Sequence, residues 1–214
     1  MNAPPDSSVL RADGLACVRG ERHLFSGVSF TLPGGTLFEV RGANGSGKSS
    51  LLRMVCGLLA PAAGDISWNG RPVRELAEEY RARFLYVGHL NALKDELDPA
   101  ENLALAAQLA GLPHEPGAID GALRDFGLSG CAHLPCKLLS QGQRRRAALA
   151  RLMVSGGRPL WVLDEPFAAL DAEGIGQARA VMEGHLAHGG IVVLTTHQEV
   201  DVSAPGVQQL ELRA

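Results

Sequence analysis

Residues 42–49 are Gly42-Ala43-Asn44-Gly45-Ser46-Gly47-Lys48-Ser49, and they fit the pattern G-x-x-x-x-G-K-[ST]. A strand-like segment, Thr36 to Val40, precedes them, and apolar residues at helical spacing follow them. Glycines in such a loop let backbone N–H groups converge on phosphate oxygens, and the N-terminus of the following helix adds partial positive charge. Lys48 is expected to reach the β- and γ-phosphates, and Ser49 to ligate Mg²⁺. The sequence therefore predicts a strand–loop–helix unit that binds a nucleoside triphosphate through these residues and the adjacent Ser50.

Length and composition favour a single globular domain. The 214 residues are 46% hydrophobic, which is sufficient for a large core, but no apolar run approaches the length of a membrane span. Met1 to Ser8 contains two prolines and lacks the basic and apolar regions of a signal peptide. We therefore expect a chain that stays in the cytoplasm.

Charge and cysteine usage argue against a nucleic-acid-binding protein and against a zinc site. The formal net charge is −3, so general electrostatic attraction to nucleic acid is not expected. The basic run Arg144-Arg145-Arg146 is short, and we interpret it as a solvated face at the start of a helix. The four cysteines lack C-x-x-C spacing, and Cys131-x-His133-x-x-Cys136 matches no common zinc pattern. These features predict reduced structural thiols and no nucleic-acid partner.

The order of predicted elements indicates an α/β fold. Strand-like and helix-like segments alternate along the chain, which is typical of a largely parallel sheet. Two apolar runs rich in β-branched residues, Leu160 to Leu163 and Ile191 to Thr196, are predicted to be buried strands of that sheet.

Two regions depart from this alternation. Near the start, four strand-like segments joined by glycine-rich turns predict an antiparallel side sheet: Leu15 to Val18, Val28 to Leu32, Thr36 to Val40 and Gly64 to Trp68. In the middle, Pro99 to Gly111 and Ile119 to Phe126 are helix-like and predict an inserted helical subdomain. We place the core at about residues 1–88 and 141–214 and the helical subdomain at about 89–140.

Four segments downstream of the phosphate loop distinguish among the many P-loop proteins. Leu139-Ser140-Gln141-Gly142-Gln143 resembles the signature loop of ATP-binding cassettes, and Leu160-Trp161-Val162-Leu163-Asp164-Glu165 resembles their Walker B strand. Ala169-Leu170-Asp171 is similar to their D-loop, and His197 to their switch histidine. The order and spacing match this family over nearly the whole chain. The resemblance implies the P-loop NTPase fold of an ABC ATPase, with ATP and Mg²⁺ as ligands.

The resemblance also implies roles at the edge of the sheet. Parallel sheets place ligand-facing groups at the carboxyl ends of their strands, and we expect Asp164 and His197 both to end strands. Asp164 is expected to hold Mg²⁺ directly or through water, and the adjacent Glu165 to polarise the attacking water as general base. His197 is expected to contact the γ-phosphate. The predicted catalytic residues are thus Glu165, His197 and Lys48.

The signature-like loop implies a second subunit. Ser140, Gly142 and Gln143 are expected to bind phosphate, yet the chain's own phosphate loop already occupies one side of the nucleotide. In the resembled family a partner copy supplies the signature loop. Two chains would then pack head to tail around two ATP molecules, with each γ-phosphate between Lys48 of one copy and Ser140 of the other. Hydrolysis removes this bridging charge and would loosen the dimer.

Three positions depart from the family pattern. Most cassettes have a glutamine that contacts Mg²⁺ and water where this chain has His89, so we keep His89 as a contact of the metal site. The aromatic residue that usually stacks on adenine falls near Arg19, whose guanidinium plane can stack instead, and selectivity against GTP stays open. Gln141 replaces the commoner glycine of the signature, a change we expect to be tolerated.

Part of the chain resembles one branch of the family, the haem exporter ATP-binding subunits of cytochrome c biogenesis. The resemblance lies in Tyr86-Val87-Gly88-His89, Asn91-Ala92-Leu93-Lys94, Leu24-Phe25-Ser26-Gly27 and Thr195-Thr196-His197-Gln198. It implies an ATPase homodimer on the cytoplasmic face of the bacterial inner membrane. There it would bind integral membrane subunits of a cytochrome c maturation complex and drive haem handling.

Other functions remain open at this point. The same motor chemistry can serve a transporter of a different solute, with its coupling surface around His89 to Glu96. A soluble cassette ATPase of translation or DNA repair usually has two cassettes or a long coiled coil, and this sequence has neither. A module that holds nucleotide without hydrolysis is disfavoured because Lys48, Asp164, Glu165 and His197 are all present.

Overall fold

The structure is a computed structural model that describes residues 8–112, 117–199 and 201–212. The segment Met1 to Ser8, whose composition we used above, lies outside these ranges except for Ser8. The described strands are Val9–Arg19 (β1), Arg22–Pro33 (β2), Thr36–Gly42 (β3), Ala63–Trp68 (β4), Arg71–Pro72 (β5), Phe84–Val87 (β6), Leu160–Asp164 (β7), Ile191–Thr195 (β8) and Gly206–Leu212 (β9). The α-helices are Lys48–Val55 (α1), Val73–Arg81 (α2), Pro99–Leu109 (α3), Ala118–Asp125 (α4), Gln141–Ala150 (α5) and Ala172–Ala187 (α6). None of these helices combines the length and the apolar character needed to cross a bilayer.

A five-stranded parallel sheet forms the centre of the fold, in the order β6-β7-β8-β3-β9. The two strands predicted from apolar runs are confirmed as β7 and β8, which pair in register from Leu160 with Ile191 to Asp164 with Thr195. Every residue of these two strands is buried, as expected for parallel strands covered on both faces. The carboxyl ends of β7, β8 and β3 consequently lie at one edge of the sheet.

One strand assignment was wrong. The segment Thr36 to Val40 was predicted to join the antiparallel side sheet, but it is part of β3, between β8 and β9 in the parallel sheet. Leu37 pairs with Val192 on one side and with Val207 on the other. The reason is burial, because all five residues of the segment are buried and need cover on both faces. The side sheet supplies cover on only one face.

The antiparallel side sheet has the order β2-β1-β4-β5 and contains the other three predicted segments. Leu10 of β1 lies between its partners Leu32 of β2 and Trp68 of β4, and all three are buried. The β1–β2 hairpin ends where Arg19 pairs with Arg22.

The two helices predicted in the middle of the chain are confirmed as α3 and α4. Helix α3 begins with a capping box, in which the Asp98 carboxylate accepts the Glu101 N–H at 2.8 Å and the Glu101 carboxylate accepts the Asp98 N–H at 3.0 Å. The Asn102 side chain accepts the Lys94 N–H at 2.7 Å and donates to its carbonyl oxygen at 3.1 Å, which fixes the loop before the helix. The division into a core and a helical subdomain at residues 89 and 140 stays a prediction.

Alternate side chains of the parallel strands face two separate core clusters. Val162 and Val193 pack in the cluster that contains Leu51 of α1. Leu163 and Leu194 pack in the other cluster, which covers the opposite face of the sheet. The sheet is therefore held from both sides, and its loop-bearing edge rests on a rigid support.

The cysteines and His185 belong to the packed interior or its border. All four cysteines have free thiols and are buried, and burial raises the pKa of Cys131 and Cys136. The His185 ring stacks on Trp161 with ring centroids 3.7 Å apart. In the described ranges, no group of three His, Cys, Asp or Glu side chains is arranged to hold a metal ion.

Candidate nucleotide-binding and hydrolysis site

The phosphate loop connects β3 to α1, with Gly47 at the N-cap of the helix. Gly47 has a φ of 103°, and a Cβ there would lie 3.0 Å from the ring of Phe25. Gly42 has a φ of 140°, and a Cβ there would lie 2.5 Å from the carbonyl oxygen of Leu212. Both positions therefore require glycine. Because a glycine N-cap has no side-chain acceptor, the first N–H groups of α1 are left for the oxygens of a phosphate.

The side chain of Lys48 lies inside this loop and is only 8% exposed. Its Nζ donates to the carbonyl oxygens of Gly42 at 2.7 Å and Ala43 at 3.2 Å. The Ser46 N–H donates to the Ala43 carbonyl at 3.1 Å and closes the turn. The ammonium group is thus held within the loop, beside the N-terminus of α1, so that the lysine charge and the helix dipole can act on the same bound phosphate.

A cavity of about 640 Å³ lies against the loop, which is a volume typical of small-molecule sites. Its lining combines the phosphate loop, the end of β1, the loop after β6 and the segments that follow β7 and β8. The lining residues are Arg19, Leu24, Asn44, Gly45, Gly47, Lys48, Ser49, Ser50, His89, Asp164, Glu165, Ala168 and His197. The structure therefore brings most of the predicted site residues together, and it adds Leu24 and Ala168, which sequence reasoning did not identify.

Two acidic residues are fixed at the carboxyl end of β7. Asp164 is the last residue of the strand, and its Oδ1 accepts a hydrogen bond from Thr195 Oγ1 at 2.7 Å. The Glu165 N–H donates to the same Thr195 Oγ1 at 2.9 Å. Glu165 has a φ of 51°, which is uncommon for a residue other than glycine and is typical of functional sites. Sequence reasoning did not identify Thr195 as the residue that holds both acids.

His197 faces Glu165 across a short distance. Its Nε2 lies 3.3 Å from Glu165 Oε1, and both side chains line the cavity. The prediction that His197 ends a strand was wrong, because β8 ends at Thr195. The Thr196 hydroxyl accepts the Gln198 N–H at 3.0 Å and donates to the Gln198 carbonyl at 3.1 Å, and this local turn carries His197 beyond the sheet.

Two of the three departures from the family pattern, His89 and Arg19, also line the cavity. His89 lies just after the end of β6 at Val87, at the same edge of the sheet as Asp164. Arg19 is the last residue of β1, and its exposed side chain borders the cavity beside Leu24. Stacking of Arg19 on a base and contact of His89 with a metal site stay predictions.

The signature-like residues lie elsewhere in the chain's structure. The Ser140 hydroxyl accepts the Gln143 N–H at 3.2 Å, and Gln143 Oε1 accepts the Ser140 N–H at 2.9 Å. Because this capping box starts α5 at Gln141, the prediction that the helix begins near Arg144 was wrong. Ser140, Gly142 and Gln143 are not among the residues that line the cavity. A single copy of the chain, as far as it is described, therefore does not bring them to its own phosphate loop.

The interpretation of the arginine run as a solvated face was wrong. Arg144 donates to the Asp95 carboxylate at 2.6 Å and to the Cys136 carbonyl at 2.8 Å, and Arg146 is paired with Asp171. Arg145 is only 3% exposed and donates to the backbone carbonyl oxygens of Asp164 and Glu165. One signal was available in the sequence, because helical spacing places Arg145 on the same face as the apolar residues three and four positions later.

Two comparisons agree on the class of protein. A family model described as ABC transporter matches residues 25–168. A solved structure described as the ATP-binding subunit of an ABC transporter is similar with a TM-score of 0.79 and 29% sequence identity, over 88% of this chain and 79% of that chain. These matches, the parallel sheet and the phosphate loop define a P-loop ATPase of the ATP-binding-cassette class. The predicted fold class is confirmed.

Two curated relatives are similar over almost the whole chain. The cytochrome c biogenesis ATP-binding export protein CcmA of Dechloromonas aromatica is 53% identical over 205 residues, which are 95% of this chain and 100% of the relative. The protein of the same name from Nitrosomonas europaea is 46% identical over 209 residues, which are 98% of each chain. The chain therefore belongs to the ABC transporter family, among the cytochrome c biogenesis ATP-binding export proteins. It is accordingly an ATP-binding subunit that hydrolyses ATP.

Proposed function

We propose that this protein is the ATP-hydrolysing motor of a cytochrome c biogenesis export complex and that its turnover drives haem handling across the bacterial inner membrane. The observation that carries the proposal is the 3.3 Å contact between Glu165 and His197 in the cavity of the phosphate loop. A carboxylate, an imidazole and the Lys48 ammonium in one cavity are the groups that phosphoryl transfer to water uses. Similarity to the CcmA proteins supports the pathway.

In this proposal Glu165 is the general base. Its carboxylate takes a proton from the water that attacks the γ-phosphate. The imidazole of His197 in the same chain holds that carboxylate and the phosphate in place. Lys48 neutralises charge on the β- and γ-phosphates. General-base assistance typically contributes a factor of about 10² to 10⁴ in rate. The fixed backbone around Glu165 supports the assignment, because a general base must lie within reach of the attacking water before its pKa has any effect.

We further propose that Ser49 and Asp164 hold Mg²⁺. Both line the cavity, and the Thr195 hydroxyl orients the Asp164 carboxylate through Oδ1. Hydroxyl and carboxylate oxygens suit Mg²⁺, whereas the imidazole of His89 suits a contact through a water molecule of the metal. When bound, Mg²⁺ supplies positive charge that offsets the charge of the transferring phosphoryl group.

The signature-like residues are assigned to the nucleotide of a second copy. Ser140, Gly142 and Gln143 form the N-terminal turn of α5, where the helix dipole favours an anion. They do not line the cavity beside their own chain's phosphate loop, which supports a head-to-tail homodimer with two ATP molecules between the copies. We place this dimer on integral membrane subunits at the cytoplasmic face of the inner membrane, with no nucleic-acid partner.

The test of the base is Glu165→Gln, compared with Glu79→Gln. The amide keeps the size of the side chain but accepts no proton, so ATP turnover should fall by about 10² or more while ATP affinity stays within about threefold of wild type. Glu79 is on α2, exposed and paired with Arg71, so its variant should keep both properties. Phosphate release and titration with a fluorescent ATP analogue measure the two quantities. Normal turnover of Glu165→Gln would remove this residue from the role.

The test of the pathway is purification of the protein from membranes in mild detergent, followed by mass spectrometry. Co-purification of cytochrome c maturation proteins is the expected result. Recovery of an unrelated permease in their place would assign the motor to another transporter and leave the hydrolysis chemistry unchanged.

A further inference from the structure

Arg145 connects helix α5 to the loop after β6 and to the end of β7 through one buried guanidinium group. The residue lies on α5, and its side chain donates five hydrogen bonds of 2.8 to 3.2 Å. The acceptors are the carbonyl oxygens of Gly88, Asp164, Glu165 and Pro166 and the side-chain oxygen of Asn91. No other arginine in the described part of the chain is so deeply buried. A planar group with five donors matches this set of acceptors, and a lysine ammonium with three donors does not.

The first group of bonds holds the backbone of the proposed base. Arg145 donates to the carbonyl oxygens of Asp164 and Glu165, both at 2.8 Å. Thr195 accepts the N–H of Glu165 from the other direction. The left-handed backbone of Glu165, with its φ of 51°, is therefore held at both its N–H and its carbonyl group. A strained conformation of this kind persists only where its surroundings fix it.

The second group of bonds holds the loop that carries His89. Arg145 donates to the Gly88 carbonyl at 3.0 Å and to Asn91 Oδ1 at 3.1 Å, so it contacts the residue before His89 and the second residue after it. Both His89 and Glu165 line the cavity, but they come from segments far apart in the chain. One cation thus sets the distance between these two sides of the site.

Charge supports a fixed position for this group. Burial lowers the pKa of Arg145, and the nearby carboxylates of Asp164 and Glu165 act in the opposite direction. The guanidinium stays charged at neutral pH because the pKa of arginine begins far above it. Its hydrogen bonds are therefore charge-assisted, which makes them stronger and more directional than bonds between neutral groups.

We propose that Arg145 is a positioning residue for ATP hydrolysis, which aligns Glu165 with the His89 loop and fixes both to helix α5, which begins at Gln141. The proposal rests on the function proposed above for Glu165. Arg145 itself does not line the cavity, so nucleotide affinity should not depend on it directly. Its loss should lower the rate of the chemical step, because a misplacement of about 1 Å at a reacting group can cost a factor of about 10².

The variant that tests this is Arg145→Lys, which keeps the positive charge but cannot reach acceptors on both sides. Turnover should fall about 10- to 100-fold, while affinity for a fluorescent ATP analogue should stay within about threefold. The matched control is Arg158→Lys. Arg158 also donates to backbone carbonyl oxygens, those of Phe84 and Ala110, but it lies away from the cavity. This control should lose thermal stability and keep its turnover number per folded molecule.

A second variant keeps the test valid if Arg145→Lys does not fold. Asn91→Ala removes one acceptor and leaves Arg145 in place, so turnover should fall about 3- to 10-fold in a folded protein. In the double variant with Arg145→Lys the Asn91 change should have little further effect, because the two residues act through one contact. Additive losses would overturn the proposal, and so would a folded Arg145→Lys or Asn91→Ala protein with wild-type turnover.

Glu165→Gln measured in the same series separates the two proposals. If Glu165→Gln is inactive and Arg145→Lys is fully active, the positioning role fails and the proposed base stands. If Glu165→Gln retains turnover, the proposed base fails, and the positioning role that rests on it fails with it.

Discussion

The hydroxyl group of Thr195 contributes both to the stability of the fold and to the geometry of the acidic pair, so its removal should affect both. Thr195→Val replaces this hydroxyl with a methyl group of similar size at a fully buried position on β8. Two partners are lost at once, because the hydroxyl accepts the Glu165 N–H at 2.9 Å and donates to Asp164 Oδ1 at 2.7 Å. Asp164 is buried, so little solvent reaches its carboxylate to replace the lost hydrogen bond.

The cost follows from these two losses. Leaving a buried backbone donor unsatisfied costs about 1 to 3 kcal/mol, and a hydrogen bond to a charged group contributes about 1.5 to 3 kcal/mol. The added burial of a methyl group offsets part of this, by roughly 1 kcal/mol. We expect a net loss of about 2 to 4 kcal/mol in the free energy of unfolding. For a chain of 214 residues this corresponds to a fall in Tm of about 4 to 16 °C.

The assay combines urea unfolding followed by circular dichroism with ATP turnover of the folded protein. Thr36→Val is the control, because Thr36 is also buried but lies at the opposite end of β3, far from the acidic pair. The control should change the free energy of unfolding by less than about 1 kcal/mol. Thr195→Val should in addition lower turnover, because Glu165 loses the bond that fixes its N–H. Equal effects of the two variants on stability and turnover would refute the reasoning.

Two further predictions concern pH and the phosphate loop. Burial lowers the pKa of His185 to about 4, whereas the unfolded imidazole titrates near 6.5, so the unfolded state gains protons first as the pH falls. The free energy of unfolding is then lost progressively between about pH 6.5 and 4, by about 2 to 3 kcal/mol. His185→Phe keeps a ring on Trp161, so in urea titrations its free energy of unfolding should change less with pH over that range than that of the wild type. Gly47→Ala places a Cβ against Phe25 at a positive φ and should weaken ATP binding at least about tenfold, whereas Gly176→Ala, in open space on α6, should leave binding unchanged and stabilise the helix by about 0.5 to 1 kcal/mol. Wild-type ATP affinity of Gly47→Ala in a fluorescence titration would contradict the loop geometry.

Much of this fold follows from local sequence patterns. The runs at residues 160–163 and 191–196 have a length and β-branched content that match a strand buried on both faces, and they form adjacent strands. The phosphate loop marks the junction of β3 and α1 with a motif whose glycines are needed for backbone geometry. These features could be predicted because each depends on neighbours that are close in sequence.

The errors have a common cause, which is dependence on tertiary contacts. Thr36 to Val40 was placed in the wrong sheet because the sequence of a short buried strand does not specify which strands it pairs with. Its sheet is defined by its pairing with β8 and β9. Edge strand β9 was not identified because four of its seven residues are exposed and three of these are polar, so the apolar pattern that marks the inner strands is weak. The position of His197 depends on a local turn made by Thr196, which periodicity does not report.

The arginine run shows what a charge pattern can and cannot predict. Three consecutive arginines look equivalent in sequence, yet they point in three directions on a helix. Arg144 and Arg146 each pair with a carboxylate, whereas Arg145 donates to backbone carbonyl oxygens. A charged residue on the apolar face of a helix is costly unless it is fully hydrogen-bonded. A charge at the position of Arg145 therefore predicts buried acceptors opposite that face of the helix, and not solvent. Wherever one charge falls on the buried stripe of a helix that adjoins a site, it holds in place the acceptors that make its burial tolerable.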